Sequence, residues 1–305
     1  MNKLERDLLS QITDLHSVPQ GSYNIRKNGE SIKRVSNDEI KIVPKTDKSG
    51  IDVVIRDDVK NKSVHIPVIV TKSGFDDLTY NDFYIGDNCD VLIVAGCGIH
   101  NNGNKKSSHD GIHRFFVGKN SKVRYVEKHL ALGKDNIEKN LNPKTNIILK
   151  DGSQFEMETV QLGGVSYSNR ETSAKLFDNS KLIIKEKILT TNNQIANTKF
   201  KVELIGDNSS VEVVSRSVAK DFSKQKFVSN IIGKSSCYGR VECDGIMVGN
   251  AQIVSIPQVQ AKNINASLSH EASLGKIAGE QLIKLLSLGL NQHEAEDVIL
   301  KGYLK

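Results

Sequence analysis

Two groups of residues in this chain have the side-chain chemistry of a soft-metal site. The first is Cys97-Gly-Ile-His100 followed by Ser107-Ser-His109-Asp110-Gly-Ile-His113, which reads C-x2-H, then eight residues, then H-x3-H. Thiolate and imidazole together suit iron, zinc or a cluster. The linking loop is short and no helix is expected there, so the likeness to a zinc finger is superficial. Asn101 to Ser108 is polar, and the alternative is a solvated loop that leaves His109 exposed beside a buried Cys97.

The second group lies late in the chain. Glu242-Cys243-Asp244 sits on an expected strand before Gly245, and His270-Glu271 follows at the edge of a helical tail. Cys243 and His270 are 270 − 243 = 27 residues apart, a separation that matters if the chain is a solenoid. The alternatives are ordinary: Cys243 as a small buried residue, and His270-Glu271 as a polar pair at a helix entry, where Glu is favoured.

The elements that must position these residues are short strands. Segments such as Ile66-Pro-Val-Ile-Val70, Val91-Leu-Ile-Val94, Asn146-Ile-Ile-Leu149, Leu182-Ile-Ile184 and Val211-Glu-Val-Val214 are rich in β-branched residues and bounded by turn formers. Pro67 points to an edge or strand-start position for the first. A turn signal recurs before strands: Gly86-Asp-Asn-Cys89, Gly118-Lys-Asn-Ser121, Asp151-Gly-Ser153, Asp178-Asn-Ser180, Gly206-Asp-Asn-Ser209 and Gly233-Lys-Ser-Ser236. Taking Asp87, Lys119, Asp151, Asp178, Asp207 and Lys234 as equivalent gives intervals of 32, 32, 27, 29 and 27 residues. Such a period marks a solenoid. Its irregularity suits a right-handed parallel β-helix with two or three strands per rung; a β-sandwich is the alternative. In a β-helix, residues one rung apart are neighbours, so the 27-residue interval brings the Cys243 thiol, the His270 imidazole and the Glu271 carboxylate within reach of one another.

The ends read as helical. Met1 to Leu15 is amphipathic through Leu4, Leu8, Leu9 and Ile12, and charged residues interrupt it, so it is not a signal peptide. From Ser273 onward, Leu274, Ile277, Ala278, Leu282, Leu285 and Leu286 share a face, and Gly289 ends the helix. Asn291 and Glu294 then form a capping-box start to a second helix with Ala295, Val298 and Ile299. The tail can shield the open end of the solenoid or serve as a docking surface. The organisation expected is a helical lead-in over 1–50, a β-helix core over 51–272 and a C-terminal helical domain over 273–305.

Composition narrows the function classes. The net charge of +6 is spread along the chain without interleaved aromatics, which argues against nucleic-acid binding. Aromatics make up 5% and there is no Trp, too few for the sugar platforms of a polysaccharide-cleaving β-helix. No apolar run approaches the ~18 residues of a membrane span, and four cysteines without a secretion signal read as thiols or ligands, so a cytoplasmic protein is expected. Gly233-Lys234-Ser235 mimics the end of a phosphate-binding loop, but Val228 stands where the first glycine is needed.

The stretch from Cys243-Asp-Gly-Ile-Met-Val-Gly249 to Pro257, then Leu268-Ser-His-Glu-Ala272 and Lys276-Ile277, resembles the SufB/SufD family, as does the tail Gly289-Leu290, Ala295, Val298-Ile299 and Gly302-Tyr303. The likeness extends over roughly residues 80–305. It implies a right-handed β-helix scaffold for iron–sulfur cluster assembly, homodimerisation through the late strands, and docking of a SufC-type ABC ATPase on the C-terminal helices. Clusters would be held transiently, fed by iron and sulfur donors and passed to apo-protein clients. His270-Glu271 and Cys243-Asp244 match the family's His-Glu and Cys-Asp steps. Longer members carry a further cysteine between the equivalents of Gly249 and Pro257, and this chain has none there. The expected ligands are therefore Cys243, His270 and Glu271 with Glu242 beside them, and Cys97, His100, His109 and His113 as the other candidate set. A scaffold that is not itself an enzyme is the leading expectation. The alternatives are a metal-dependent or carbohydrate-active β-helix enzyme using Glu242, Asp244 and Glu271, and a purely structural solenoid.

Overall fold

The computed structural model describes residues 3–13, 21–161 and 163–304. Helix α1 (Lys3–Thr13) leads into β1 (Ser22–Lys27), β2 (Glu30–Val35) and β3 (Ile40–Pro44). There follow β4 (Gly50–Ile55), β5 (Lys60–Val70), β6 (Asp76–Ile85), β7 (Asp90–Asn101), β8 (Ser107–Val117) and β9 (Lys122–Gly133). Next come β10 (Lys139–Leu141), β11 (Lys144–Leu149), β12 (Gln154–Gln161), β13 (Tyr167–Leu176), β14 (Lys181–Thr190) and β15 (Ile195–Leu204). The series closes with β16 (Ser210–Asp221), β17 (Lys224–Gly233), β18 (Tyr238–Gly249), β19 (Gln252–Ala261), β20 (Ser267–Gly275), α2 (Gly279–Ser287) and α3 (Gln292–Tyr303).

From β4 onward, successive strands alternate between two ten-stranded sheets. One runs β2-β1-β5-β7-β9-β12-β14-β16-β18-β20, and the other runs from β19 back to β3, with β10 and β11 sharing one position between β8 and β13. Every inter-rung ladder in this series is parallel, which makes a β-solenoid of about 8 turns with two strands per rung. Antiparallel pairs occur only at the N-terminal end among the described residues, where β1 pairs with β2 and β3 with β4. Among the described residues, the lead-in expected to be helical over 1–50 is helical only over Lys3–Thr13. Residues 22–44 hold strands β1 to β3 and their turns, and the two ends of the expected Met1–Leu15 helix lie outside the described residues.

Period-two alternation sets the interior. On β14, Leu182, Ile184, Glu186, Ile188 and Thr190 point in while Lys181, Ile183, Lys185, Lys187 and Leu189 point out. Apolar inward residues stack from rung to rung into one continuous core that includes Phe83, Phe115, Phe155 and Phe200. Pro67 is not at an edge: β5 lies between β1 and β7. The β1 ladder passes from His65 directly to Val68, so the residue without an N–H sits where that ladder lapses.

The recurring turns are stacked as well. Asn88 N–H donates to Lys119 O (2.8 Å), Asn120 N–H to Asp151 O (3.0 Å), Asn179 N–H to Asp207 O (2.8 Å) and Asn208 N–H to Ser236 O (2.7 Å). The Asn at each of these corners has a positive φ of 54–56°, a conformation Asn tolerates better than most side chains. Aspartates bind the turns to one another. The Asp57 carboxylate accepts from Asp87 N–H, Asp87 from Lys119 N–H, Asp178 from Asp207 N–H and Asp207 from Ser236 N–H, at 2.7–3.1 Å. Inside each corner a hydroxyl donates back to a turn carbonyl, as Ser121, Ser153, Ser180 and Ser209 do. Cys89 is the same device with sulfur, its thiol 3.0 Å from Arg56 O. The last turn equivalent is Ser236, two residues beyond the Lys234 suggested by the Gly-Lys-Ser-Ser pattern, because Gly233 is the final residue of β17 and pairs with Leu204.

Helix α1 lies across the outer face of the first sheet. Leu8 and Ile12 are buried against Ile69 and Leu130, and burying each contributes about 1.5–3 kcal/mol. A Cβ on Gly98 would come within 2.6 Å of Leu8, and one on Gly96 within 2.6 Å of Ile12 O, so two glycines of β7 create the seat. At the other end, α2 buries none of its residues, whereas α3 buries Ala295 and Leu300 and is tied to β16 by Lys220–Asp297 (3.6 Å). The capping box at Asn291 and Glu294 is present. Leu274 belongs to β20 rather than to the first tail helix. No helix among the described residues is long and apolar enough to cross a membrane.

Asp87→Ala should lower stability by about 1 kcal/mol through loss of one turn-to-turn hydrogen bond, whereas Cys89→Ser, which installs the residue used in the other corners, should stay within about 0.5 kcal/mol of wild type. Urea melts of the two variants check this, and an equal loss in both would refute the corner assignment.

Candidate functional site

The end of the solenoid is built by β18 and β20. Their register pairs Val241 with His270, Glu242 with Glu271 and Cys243 with Ala272. The offset is therefore 271 − 242 = 29 residues, not the expected 27. Cys243 and His270 share the inward face as diagonal neighbours, an arrangement that places residues roughly 7–8 Å apart and their Cβ atoms somewhat closer. Glu242 and Glu271 point the other way, where both are bound by Arg240, at 3.2 and 3.1 Å. The structure thus brings the thiol and imidazole to one face and both carboxylates to the other.

Cys243 is 1% exposed, and burial pushes its thiol up to about 11 although the Ser255 hydroxyl opposes the rise. It is protonated at neutral pH and must lose that proton to act as a ligand. His270 has both ring nitrogens buried without a hydrogen-bond partner, and burial lowers its pKa. Two unsatisfied imidazole nitrogens in one ring are costly unless something binds them. The Tyr303 hydroxyl of α3 is also buried without a partner, and burial, with Asp244 nearby, raises its pKa.

Cys243 also ends a polar row. Along the first sheet the inward positions in register are Ala95, Glu127, Thr159, Glu186, Ser215 and Cys243. Arg170 joins the row from the opposite sheet, 2.6 Å from Glu127 and 3.7 Å from Glu186. Tyr125 O–H donates to Glu127 at 3.0 Å, and Glu186 accepts from Thr198 (3.0 Å) and Ser215 (2.9 Å). Burial pushes the Glu127 carboxyl up, but Arg170 and His129 outweigh it and hold it well below its usual range. Burial prevails at Glu186, whose pKa is raised. These interior residues were not singled out from sequence. The available signal was parity: Glu127 and His129 share the inward parity of Val123 and Tyr125, and Glu186 that of Leu182 and Ile184.

The earlier candidate set divides in the same manner. Cys97, His109 and His113 point inward and are buried, while His100 is on the outer face near Asn102 (3.5 Å). His109 is not in a solvated loop, because β8 begins at Ser107 and its Nδ1 lies 2.9 Å from Asp77. Cys97 pairs in register with His129, and burial raises its thiol pKa well above the usual value.

Residues 81–303 match the family described as SUF system FeS cluster assembly, SufBD core domain. The chain belongs to the SufBD family. An iron-sulfur cluster assembly SufBD family protein of Archaeoglobus fulgidus is 30% identical over 218 residues, covering 71% of this chain and 57% of that protein. One from Methanothermobacter thermautotrophicus is 27% identical over 230 residues, covering 74% of this chain and 54% of the relative. One from Pyrococcus horikoshii is 27% identical over 266 residues, 83% of this chain and 77% of the relative. The chain spans little more than half the length of the first two. As a SufBD member it carries both candidate residues, Cys243 and His270, within the matched region.

His113 yields a pH prediction for this SufBD solenoid. Burial lowers its pKa from 6.5 to about 4, so the unfolded chain takes up this proton first. The stability due to the neutral ring is complete above about pH 6.5 and is lost as pH falls from 6.5 towards 4, on the order of 3 kcal/mol in all. His113→Gln, melted in urea with EDTA at pH 7.5 and 4.5, should show a smaller loss on acidification than wild type. An unchanged loss would refute the assignment.

Proposed function

We propose that this SufBD family member is a scaffold on which iron–sulfur clusters, its cargo, are assembled and from which they are released to apo-proteins. The observation that carries this reading is the placement of the Cys243 thiol and the unpartnered His270 imidazole on one face of the last two rungs. Thiolate is the preferred ligand of an iron–sulfur cluster, and imidazole can replace it. One chain supplies two such donors, and a cluster takes four. A second copy supplies the remainder, which favours a homodimer through this end. Strands β19 and β20 are sheet edges there, with Val254, Ile256 and Val259 exposed, and unpaired edges favour pairing with another chain. Glu242 and Glu271 share one guanidinium on an outer face, away from the thiol and imidazole, an arrangement that favours the scaffold over a β-helix enzyme using these two carboxylates.

An ABC-type ATPase is the proposed partner of the tail. Helix α2 has no buried residue, and Ile283, Leu286 and Val298 are exposed at 65%, 39% and 50%. That apolar surface is unsuited to water and fits docking better than end-capping.

Anaerobic reconstitution with iron and sulfide tests the scaffold. Cys243→Ser and His270→Ala should each lower bound iron and the sulfur-to-iron absorbance several-fold with an unchanged circular dichroism spectrum, while Glu271→Gln stays near wild type. Full occupancy in Cys243→Ser with loss in Cys97→Ser would move the site to the other cysteine. For the tail, Ile283→Asp with Leu286→Asp should abolish co-purification with the ATPase while the solenoid stays folded; retained binding would refute the docking surface.

A further inference from the structure

Inside the second and third rungs, two imidazoles aim bare nitrogens at one small space. His109, Gly111 and His113 are alternate, inward residues of β8. A Cβ built on Gly111 would lie 3.0 Å from His113 Nε2 and 3.3 Å from His109 Nε2, so both nitrogens are within reach of a single atom above the glycine. A cavity of about 10 Å³ opens there, lined by Cys97, His109, Gly111, His113, Glu127 and His129 among others. That is space for about one atom-sized guest.

Neighbouring groups fix which nitrogen carries the proton. Asp77 is a carboxylate 2.9 Å from His109 Nδ1, so a neutral His109 is protonated there and leaves Nε2 bare. Asp77 is itself tied to Arg26 at 3.4 Å. Tyr125 O–H donates to the Glu127 carboxylate, so the phenol oxygen must accept from His113 Nδ1–H at 2.7 Å, and Nε2 is again bare. The described contact to His113 Nε2 is a long one, 3.4 Å from the Asn81 amide, whose Oδ1 is buried without a partner. His109 Nε2 has no hydrogen-bond partner among the described residues. A carboxylate or hydroxyl holding the far nitrogen of each imidazole is the outer shell that metal-binding histidines use.

We propose that this space binds one divalent transition-metal ion through His109 Nε2 and His113 Nε2, with the Cys97 thiol, which lines the same cavity from the facing sheet, as third donor. Among the described residues no three His, Cys, Asp or Glu side chains already stand in ligating geometry, so Cys97 must turn towards the ion. On binding, its S–H bond breaks, an S–metal bond forms, and one proton is released. Imidazole and thiolate select zinc, cobalt or iron over magnesium or calcium. Cys97 is five rungs from Cys243 and six from His270 along the first sheet, and the site does not depend on the scaffold reading.

The full-length chain, stripped with EDTA and without added sulfide, is loaded with Co²⁺ or Zn²⁺ and desalted. Wild type and Cys243→Ser should retain one equivalent, with visible cobalt bands and a thiolate-to-cobalt band that Cys97→Ser removes. His109→Gln with His113→Gln should weaken binding at least tenfold. So should Gly111→Ala, which fills the space while its neighbours need shift only a few tenths of an ångström. No retained metal in wild type would overturn the proposal. So would a full equivalent in both sets of variants, or a zinc-soaked crystal with no anomalous peak and only an ordered water above Gly111. Loss of cluster assembly in Cys243→Ser with zinc binding intact would separate this site from the scaffold site.

Discussion

Register between parallel rungs is the constraint on which the molecule depends. Each strand satisfies its backbone groups on the strands one rung before and one rung after it in the same sheet, and side chains alternate faces with a period of two. A slip of one residue would turn every inward side chain of a rung outward. The aspartates and asparagines at the corners oppose such a slip, because a carboxylate at Asp87 or Asp207 has one backbone N–H within reach on the next turn. That registration is why Cys243 and His270 face the interior together while Glu242 and Glu271, one residue away in each strand, face solvent with Arg240.

The interior is not uniformly apolar. Glu127, Arg170, Glu186, His113, His129 and Tyr125 are all buried. Removing charges from water costs several kcal/mol per ion unless geometry and hydrogen bonds offset it. Here the Glu127–Arg170 contact at 2.6 Å, the tyrosine hydroxyl and the second carboxylate of Glu186 form a connected set. The half of the solenoid around this set has little freedom to repack, since moving any one member strands another in a dry interior.

Much of this was legible in the sequence, and the errors have identifiable physical causes. The β-solenoid and five of the six turn equivalents follow from residue types, because corner Asp, Asn and Ser do local work that only those side chains do, whereas the choice of two strands per rung over three came from the structure. The sixth turn was misplaced because Gly233-Lys-Ser-Ser imitates Gly206-Asp-Asn-Ser, yet Gly233 still belongs to its strand. The same two-residue error made Cys243 the expected partner of His270, whereas Ala272 holds that position. His100 and Glu271 lie on the face opposite the thiols they were expected to join, for a related reason: residues an odd number of positions apart point to opposite faces of a strand. The Glu127–Arg170 pair was hidden because its members are 43 residues apart and meet across the lumen.

The stacked corners also bear on how the chain reaches this state. From β4 onward, each added rung closes a loop of nearly constant length, since the ladder offsets there run from 27 to 32 residues. The closure entropies at these two limits differ by only about 0.15 kcal/mol. No rung is entropically privileged, and none requires distant parts of the chain to meet first. Assembly can therefore advance as a growing front, with each completed rung serving as the template for the next as the polypeptide is synthesised.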